Sequence, residues 1–146
     1  MTTTRAVRGR ILTFTGDPAR VGPEASHRYL PDGVVAFADG RITAVGPAQE
    51  VLPTLPPGAR VDHHPDHLVL PGLIDTHIHY PQTRVIASYG AQLLEWLQKY
   101  TFVEEQKLKG PAHAAGVASF FLDELFRNGT TTAVVYCTVH PESVEA

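Results

Sequence analysis

The fold of this chain is decided by the stretch LVLPGLIDTHIH, residues 68–79, in which an apolar run ends in two histidines separated by one residue. Successive side chains of a β-strand point to opposite faces, so a strand over residues 73–79 places His77 and His79 on one face and Ile78 on the other. Neutral imidazole nitrogen is a preferred ligand of zinc. The stretch therefore predicts a buried strand whose carboxyl end carries half of a zinc site.

An isolated His-x-His pair is more often incidental than metal-binding, because two ligands alone hold no metal tightly. The apolar run before His77 changes that balance, since polar rings at the end of a buried strand are costly unless they find partners. Active sites of α/β barrels also lie at the carboxyl ends of their strands. We therefore interpret the pair as part of a functional site.

The residues after the histidines predict a long helix and a second strand. Pro111 can begin this helix, and Asn128-Gly129 can end it. Residues 130–139 are rich in β-branched side chains and predict the next parallel strand. The apolar face of the helix is predicted to consist of Val117, Phe121, Leu122, Leu125 and Phe126.

The first part of the chain predicts β structure. Residues 6–14 have the alternation of a half-buried strand, whereas turn-forming residues dominate residues 16–31. Asp39-Gly40 then separates two strand-like runs. Asp-Gly in this position is a strong hairpin signal, because a type I′ turn needs a positive φ at both central residues.

A cluster of three histidines precedes residues 68–79. Three prolines in residues 52–58 predict a connector, and residues 60–62 predict a short strand. The segment that follows is HHPDH, residues 63–67. Because Pro65 favours a turn and no regular element aligns the imidazoles, the segment is predicted to be a solvated polar loop rather than a metal site.

Composition excludes several classes of protein. The chain has 146 residues, 12 Lys and Arg against 15 Asp and Glu, and a formal net charge of −3. No basic patch indicates a nucleic-acid partner, and no run approaches the roughly 20 apolar residues of a membrane span. The single cysteine, Cys137, allows neither an internal disulfide nor a zinc site built on cysteines. We expect a soluble protein of the cytoplasm, with no targeting signal.

Several motifs resemble those of one enzyme superfamily. PGLIDTHIH, residues 71–79, resembles the signature that opens the barrel of the metal-dependent amidohydrolases, and the hairpin DGRITAVG resembles the small β domain before that barrel. The resemblance implies an α/β fold, with the amino-terminal part of a TIM-like (β/α)8 barrel over residues 70–146 and part of a small β-sandwich domain over residues 1–69. Four further segments are similar in order and spacing to the guanine deaminase family: HYPQ (79–82), LLEWLQKYTF (93–102), NGTTTA (128–133) and TVHP (138–141).

The resemblance also implies a site. His77 and His79 would be two ligands of one catalytic Zn²⁺ per active site, whose bound hydroxide would attack the amino-bearing C2 of guanine and release ammonia, leaving xanthine. Gln82 would hydrogen-bond the purine, since an amide suits an edge with both donors and acceptors. Trp96 or Leu97 would line the substrate pocket, although their helical spacing is also typical of a stripe that packs in a core.

The family pattern is incomplete in residues 1–146. It requires a later histidine with a glutamate three residues after it, another histidine, an aspartate and an Arg-Phe pair, and none of these can be matched, because His113 and His140 lie at the wrong places. No catalytic residue is therefore assigned. Since a barrel takes about 250 residues, we expect an amino-terminal fragment that is inactive alone. The resemblance implies that the full-length enzyme is a homodimer with a small-molecule substrate.

Two other interpretations stay open. The His77-Ile78-His79 pattern also occurs in other amidohydrolases, such as cytosine-type deaminases and chlorohydrolase-like enzymes, but Gln82 and the LEWL segment at 94–97 argue against them. The other possibility is a non-catalytic β-domain protein whose histidines only pack or bind metal adventitiously. The zinc deaminases that use a Cys-x-x-Cys pair are excluded, because the chain has one cysteine.

Overall fold

The computed structural model of the chain describes residues 4–90 and 92–146. The chain divides into two compact units, and the boundary between them lies between Pro71 and Gly72. The first unit is a β-sheet with short helices, and the second combines two strands with several helices. No helix in the described residues is long and apolar enough to cross a membrane.

The first unit is built on a four-stranded sheet. Its strands are β1 Arg5–Phe14, β2 His27–Ala38, β3 Arg41–Pro47 and β4 Arg60–Val69, and the short helices are α1 Pro18–Val21, α2 Ala48–Val51 and a 3₁₀ turn at Leu52–Thr54. The strand order is β3-β2-β1-β4, with β2 antiparallel to both neighbours and β4 parallel to β1. The core of this unit contains the buried residues Ala6, Val34, Ala36, Ala48 and Val51.

The Asp39-Gly40 hairpin is confirmed. These two residues connect β2 to β3, and both have a positive φ, 51° at Asp39 and 71° at Gly40. The left-handed region favours glycine and tolerates aspartate, so this dipeptide fits the turn without a large steric cost.

The prediction of a loop for the histidine cluster is wrong. Strand β4 does not end at residue 62 but runs through the whole HHPDH segment. Gly9 pairs with His64 and the next residue of β1 pairs with Leu68, so residues 65–67 form a bulge. Proline lacks an N–H and is tolerated at bulges and in edge strands such as β4. The histidine side chains are exposed, as predicted.

The predicted turn region at residues 16–31 is also shorter than expected. Helix α1 begins at Pro18, and β2 already begins at His27. Strand β2 begins early because its first residues pair with the end of β1, with Phe14 opposite His27. Pairing with a distant strand therefore overrides the local turn-forming composition.

The second unit is a strand–helix–strand arrangement. Its parallel strands are β5 Leu73–His79 and β6 Thr130–Tyr136. A 3₁₀ turn at Tyr80–Val85 follows β5, and the helical segments after it are α3 Leu93–Trp96, a π-helical turn at Leu97–Thr101, α4 Phe102–Glu105, a 3₁₀ turn at Gln106–Lys109, α5 Pro111–Arg127 and, after β6, α6 Glu142–Glu145. The parallel pairing confirms the prediction that the strand after the long helix lies parallel to β5. This strand ends at Tyr136, however, and not at residue 139.

Helix α5 begins and ends where the sequence predicts. Pro111 is its first residue, and Gly129 has a φ of 81° directly after the C-cap residue Asn128. The predicted apolar face is partly wrong, because Leu122 and Phe126 are 44% and 62% exposed. The side chains of α5 that are buried are Ala114, Val117, Ala118 and Phe121, which pack in one core with Tyr80 and Leu108.

Strand β5 is not buried in the described residues, which contradicts the prediction from its apolar sequence. Leu73 is 55% exposed, and Ile74 is 69% exposed. Among the described strands, β5 pairs only with β6, so its other edge has no partner there. Burial depends on which elements cover the strand, and the sequence of the strand itself does not specify them.

Candidate metal and substrate site

Two imidazoles converge at the carboxyl end of β5. The Nε2 atoms of His77 and His79 lie 3.1 Å apart, which confirms that the two side chains share one face. The backbone N–H of His77 donates to Oδ1 of Asp75 at 2.9 Å. This bond lies where β5 has one extra residue relative to β6, between Asp75 and Ile78, so the aspartate satisfies a donor at an irregular point of the ladder.

The spacing of the two nitrogens fits a shared zinc ion. Two tetrahedral ligands, each about 2.0–2.1 Å from zinc, lie about 3.3 Å from each other. The observed 3.1 Å between the Nε2 atoms is close to that value. Among the described residues no group of three or more His, Cys, Asp or Glu side chains could hold a metal ion.

Tyr136 also lies at the site, although its local sequence does not predict this. It is the last residue of β6 and pairs with His79 in the parallel ladder. Its ring centroid lies 4.5 Å from that of His77 and 4.9 Å from that of His79, and its ring is inclined by only 19° to the His79 ring. The position could have been found only from the register of β5 against β6.

A cavity of about 640 Å³ borders the histidines. Its lining includes His77, His79, Gln82 and Trp96, together with polar and apolar residues of α5. The structure therefore brings together four of the five side chains expected at the site. Leu97, the fifth, lies in the π-helical turn, is half-buried and does not line this cavity.

Gln82 lies in the 3₁₀ turn directly after β5. Its side-chain Nε2 donates to Oε1 of Glu105 in α4 at 3.3 Å. The turn itself is closed by the hydroxyl of Thr83, which donates to the carbonyl oxygen of Tyr80 at 2.6 Å. Gln82 therefore has a side-chain partner in a helix that follows it by more than twenty residues, a contact that sequence spacing does not predict.

Tyr80 anchors this turn in the core. It is 3% exposed, and its hydroxyl donates to the carbonyl oxygen of Ser143 in α6 at 2.7 Å. Burial raises the pKa of the Tyr80 phenol above its usual value. The phenol is thus a neutral donor at physiological pH and fixes the start of the turn that carries Gln82.

Trp96 is held beside the cavity by a hydrogen bond and by a close backbone approach. Its indole Nε1 donates to the carbonyl oxygen of Ser88 at 3.0 Å. Gly90 packs against the same side chain, and a Cβ at Gly90 would lie only 2.5 Å from Cβ of Trp96. The site therefore requires a glycine at this position, a requirement that appears only in the folded chain.

A buried carboxylate lies behind the turn. The Glu104 side chain is 9% exposed and forms an ion pair with Lys107. Nε of Arg84 and Nε2 of His113 each lie 3.9 Å from its Oε1. His113 thus faces Glu104, and the sequence expectation that it is not a metal ligand stays a prediction.

His140 lies in the turn that leads into α6. Its backbone N–H donates to the hydroxyl of Thr138, and its carbonyl oxygen accepts from the hydroxyl of Ser143. The hydroxyl of Ser143 also accepts from the backbone N–H of Thr138 at 3.0 Å. These contacts close the turn through the hydroxyls of Thr138 and Ser143 and the backbone of His140.

Comparison with known proteins places these features in a family. The model of the amidohydrolase family matches residues 68–146. The chain is 39% identical over 147 residues to the guanine deaminase of Escherichia coli (strain K12), an alignment that covers 99% of this chain and 33% of that protein. The chain thus spans about one third of the length of this curated relative.

Solved structures of guanine deaminases also match the chain. The crystal structure of guanine deaminase from Bradyrhizobium japonicum matches with a TM-score of 0.88 and 41% identity over 98% of this chain and 31% of that one. Guanine deaminase from C. acetobutylicum, solved with guanine bound in its active site, matches with a TM-score of 0.73 and 25% identity over 98% of this chain and 32% of that one. The similarity therefore extends over both units.

Proposed function

Because the chain belongs to the amidohydrolase family, we propose that the whole protein to which these residues belong removes the amino group of guanine by hydrolysis, giving xanthine and ammonia. The observation that carries the proposal is the position of Gln82 and Trp96 beside the convergent His77 and His79. It is supported by the similarity of nearly the whole chain to guanine deaminases.

The residues of this chain would bind the metal and orient the base. His77 and His79 would hold a zinc ion through their Nε2 atoms, and bound zinc supplies a water molecule activated at neutral pH. Contact of the Tyr136 ring with both imidazoles, stacked on that of His79 and tilted against that of His77, would keep the two nitrogens directed at one point. Gln82 would hydrogen-bond an edge of the purine, and Trp96 would cover part of the cavity wall.

We propose that residues 70–146 form the first β/α units of a (β/α)8 barrel, and that residues 1–69 are part of a small β-sandwich domain. The parallel strands β5 and β6 with α5 between them support the first assignment, and the four-stranded sheet supports the second. The other metal ligands and the proton-transfer groups would come from parts of the protein outside these residues. We also propose that the whole protein is a homodimer and is located in the cytoplasm.

The test is ammonia release by the purified whole protein from guanine, adenine and cytosine, with its zinc content measured in parallel. We expect guanine to be the preferred substrate and about one zinc ion per chain. His77→Ala should lower both activity and zinc content, because it removes a ligand. His64→Ala, which removes an exposed histidine of β4, is the matched control and should leave both unchanged.

Two results would contradict the proposal. A preference for adenine or cytosine would indicate another amidohydrolase deaminase. A protein without stoichiometric zinc, or a His77→Ala variant with full activity, would indicate a non-catalytic role for the histidine pair.

A further inference from the structure

Two consecutive glutamates of α4 hold the turn that carries Gln82. Oε1 of Glu105 accepts from Nε2 of Gln82 at 3.3 Å. Oε1 of the neighbouring Glu104 lies 3.9 Å from Nε of Arg84, which belongs to the same 3₁₀ turn. One turn of helix therefore holds two residues of the segment directly after the histidine strand.

Helix α4 is itself fixed in place. The Glu104 side chain is more than nine-tenths buried and forms an ion pair with Lys107 one turn later. Leu108, also in the following turn, is fully buried in the core of the second unit. The carboxylate of Glu105 is therefore presented to Gln82 from a helix whose neighbouring side chains, Glu104 and Leu108, are buried in the second unit.

The chemistry of Gln82 and Glu105 determines which end of the Gln82 amide faces the carboxylate. A glutamine amide has an oxygen that accepts and a nitrogen that donates, and the two ends have nearly the same shape. A carboxylate only accepts, so Glu105 requires the amide nitrogen on its side. The carbonyl oxygen of Gln82 is then the atom available to accept a hydrogen bond from a ligand in the cavity.

We propose that Glu105 is a positioning residue that orients the Gln82 amide, so that Gln82 accepts from an N–H group of the base and selects purines that offer a donor at that edge. This inference rests on the proposed guanine deaminase activity and adds a specificity determinant to it. Glu105 acts through Gln82 and does not itself need to touch the base.

The experiment is a double-mutant cycle on the whole, zinc-loaded protein, with kcat and KM for guanine measured for wild type, Glu105→Gln, Gln82→Ala and the double variant. Glu105→Gln keeps the shape of the side chain, but its own amide can donate or accept, so the orientation of Gln82 is no longer fixed. We expect KM to rise by about twofold or more, because an amide with two equally populated orientations is competent half of the time. The value of kcat should stay the same, since the interaction binds substrate and transition state alike.

The cycle separates positioning from a general structural effect. In the Gln82→Ala background, Glu105→Gln should change KM less than twofold, because there is no amide left to orient. Asp123→Asn, an exposed carboxylate of α5, is the control for loss of one negative charge and should behave as wild type. Melting temperatures show whether each variant is folded.

The outcomes are distinguishable. An unchanged KM in Glu105→Gln overturns the inference, and so does an equal, additive loss in both backgrounds, which would indicate an effect through the helix. In either case, activity of the wild type on guanine would leave the proposed function intact. A wild type that does not deaminate guanine overturns both.

Discussion

At the scale of single residues, the site depends on side chains whose partners fix both position and orientation. His77 and His79 meet at their Nε2 atoms, and the Tyr136 ring contacts both imidazoles, stacked on that of His79 and tilted against that of His77. Each imidazole has two χ angles, and an aromatic neighbour restricts them. Aromatic pairs of this kind contribute about 0.5–1.5 kcal/mol beyond the area that they bury.

Tyr136→Leu should therefore weaken zinc binding by the whole protein about tenfold, because removal of a group that orients metal ligands typically costs 10- to 100-fold in affinity. Tyr136→Phe keeps the ring and should bind zinc as the wild type does. The measurement is competition with a chelating dye. Equal affinities of the leucine and phenylalanine variants would show that stacking does not orient the histidines.

At the scale of elements, the turn after β5 is held at both ends by helices that are distant in sequence. Tyr80 at its start is bonded to the carbonyl oxygen of Ser143 in α6, and Gln82 and Arg84 face Glu105 and Glu104 in α4. The turn is a 3₁₀ segment, whose hydrogen-bond geometry is poorer than that of an α-helix, so these contacts help to place Gln82.

Tyr80→Phe should lower the free energy of unfolding by about 1–2 kcal/mol, because the buried carbonyl oxygen of Ser143 loses its donor. Urea denaturation at neutral pH measures this change. Tyr29→Phe, which removes an exposed hydroxyl in β2, is the matched control and should have little effect.

Tyr80→Phe should also change how the free energy of unfolding depends on pH in the alkaline range. Burial raises the pKa of Tyr80 in the folded chain above the usual value of a tyrosine phenol. The unfolded state therefore ionises first, so the contribution of Tyr80 is complete below about pH 10 and is lost as pH rises through the folded-state value. Tyr80→Phe should reduce the fall in stability above pH 10. An unchanged alkaline limb would mean that Tyr80 does not titrate with unfolding.

At the scale of the whole molecule, the second unit exposes apolar residues of β5, which are of the kind that normally lies in a protein core. Leu73 is 55% exposed, Ile74 is 69% exposed, and β5 has one partner strand among the described residues. Parallel sheets occur almost only with both faces covered. The exposure of these side chains is therefore consistent with the proposed barrel, in which further units would cover them.

Ile74→Ser tests that arrangement. In the whole protein it should lower the free energy of unfolding by about 2–3 kcal/mol, because a covered isoleucine would lose its buried surface. In residues 1–146 alone the same change should lie within about 0.5 kcal/mol, since the side chain is largely exposed there. Denaturant titration of both forms gives the comparison, and equally small changes would mean that Ile74 stays exposed in the whole protein.

The local features of this protein follow from its sequence alone. The Asp39-Gly40 turn, the limits of α5 and the common face of His77 and His79 depend on φ preferences and on strand alternation, which involve only neighbouring residues. These features could be predicted for that reason.

Contacts between distant residues, in contrast, depend on how the elements pack in the folded chain. The tertiary structure extended β4 through the histidine cluster, left Leu73 and Ile74 exposed, placed Tyr136 on the histidines and brought Glu105 to Gln82. Strand register, burial and side-chain pairing depend on elements that lie far apart in the chain, and their energies are set by packing in three dimensions rather than by local propensity.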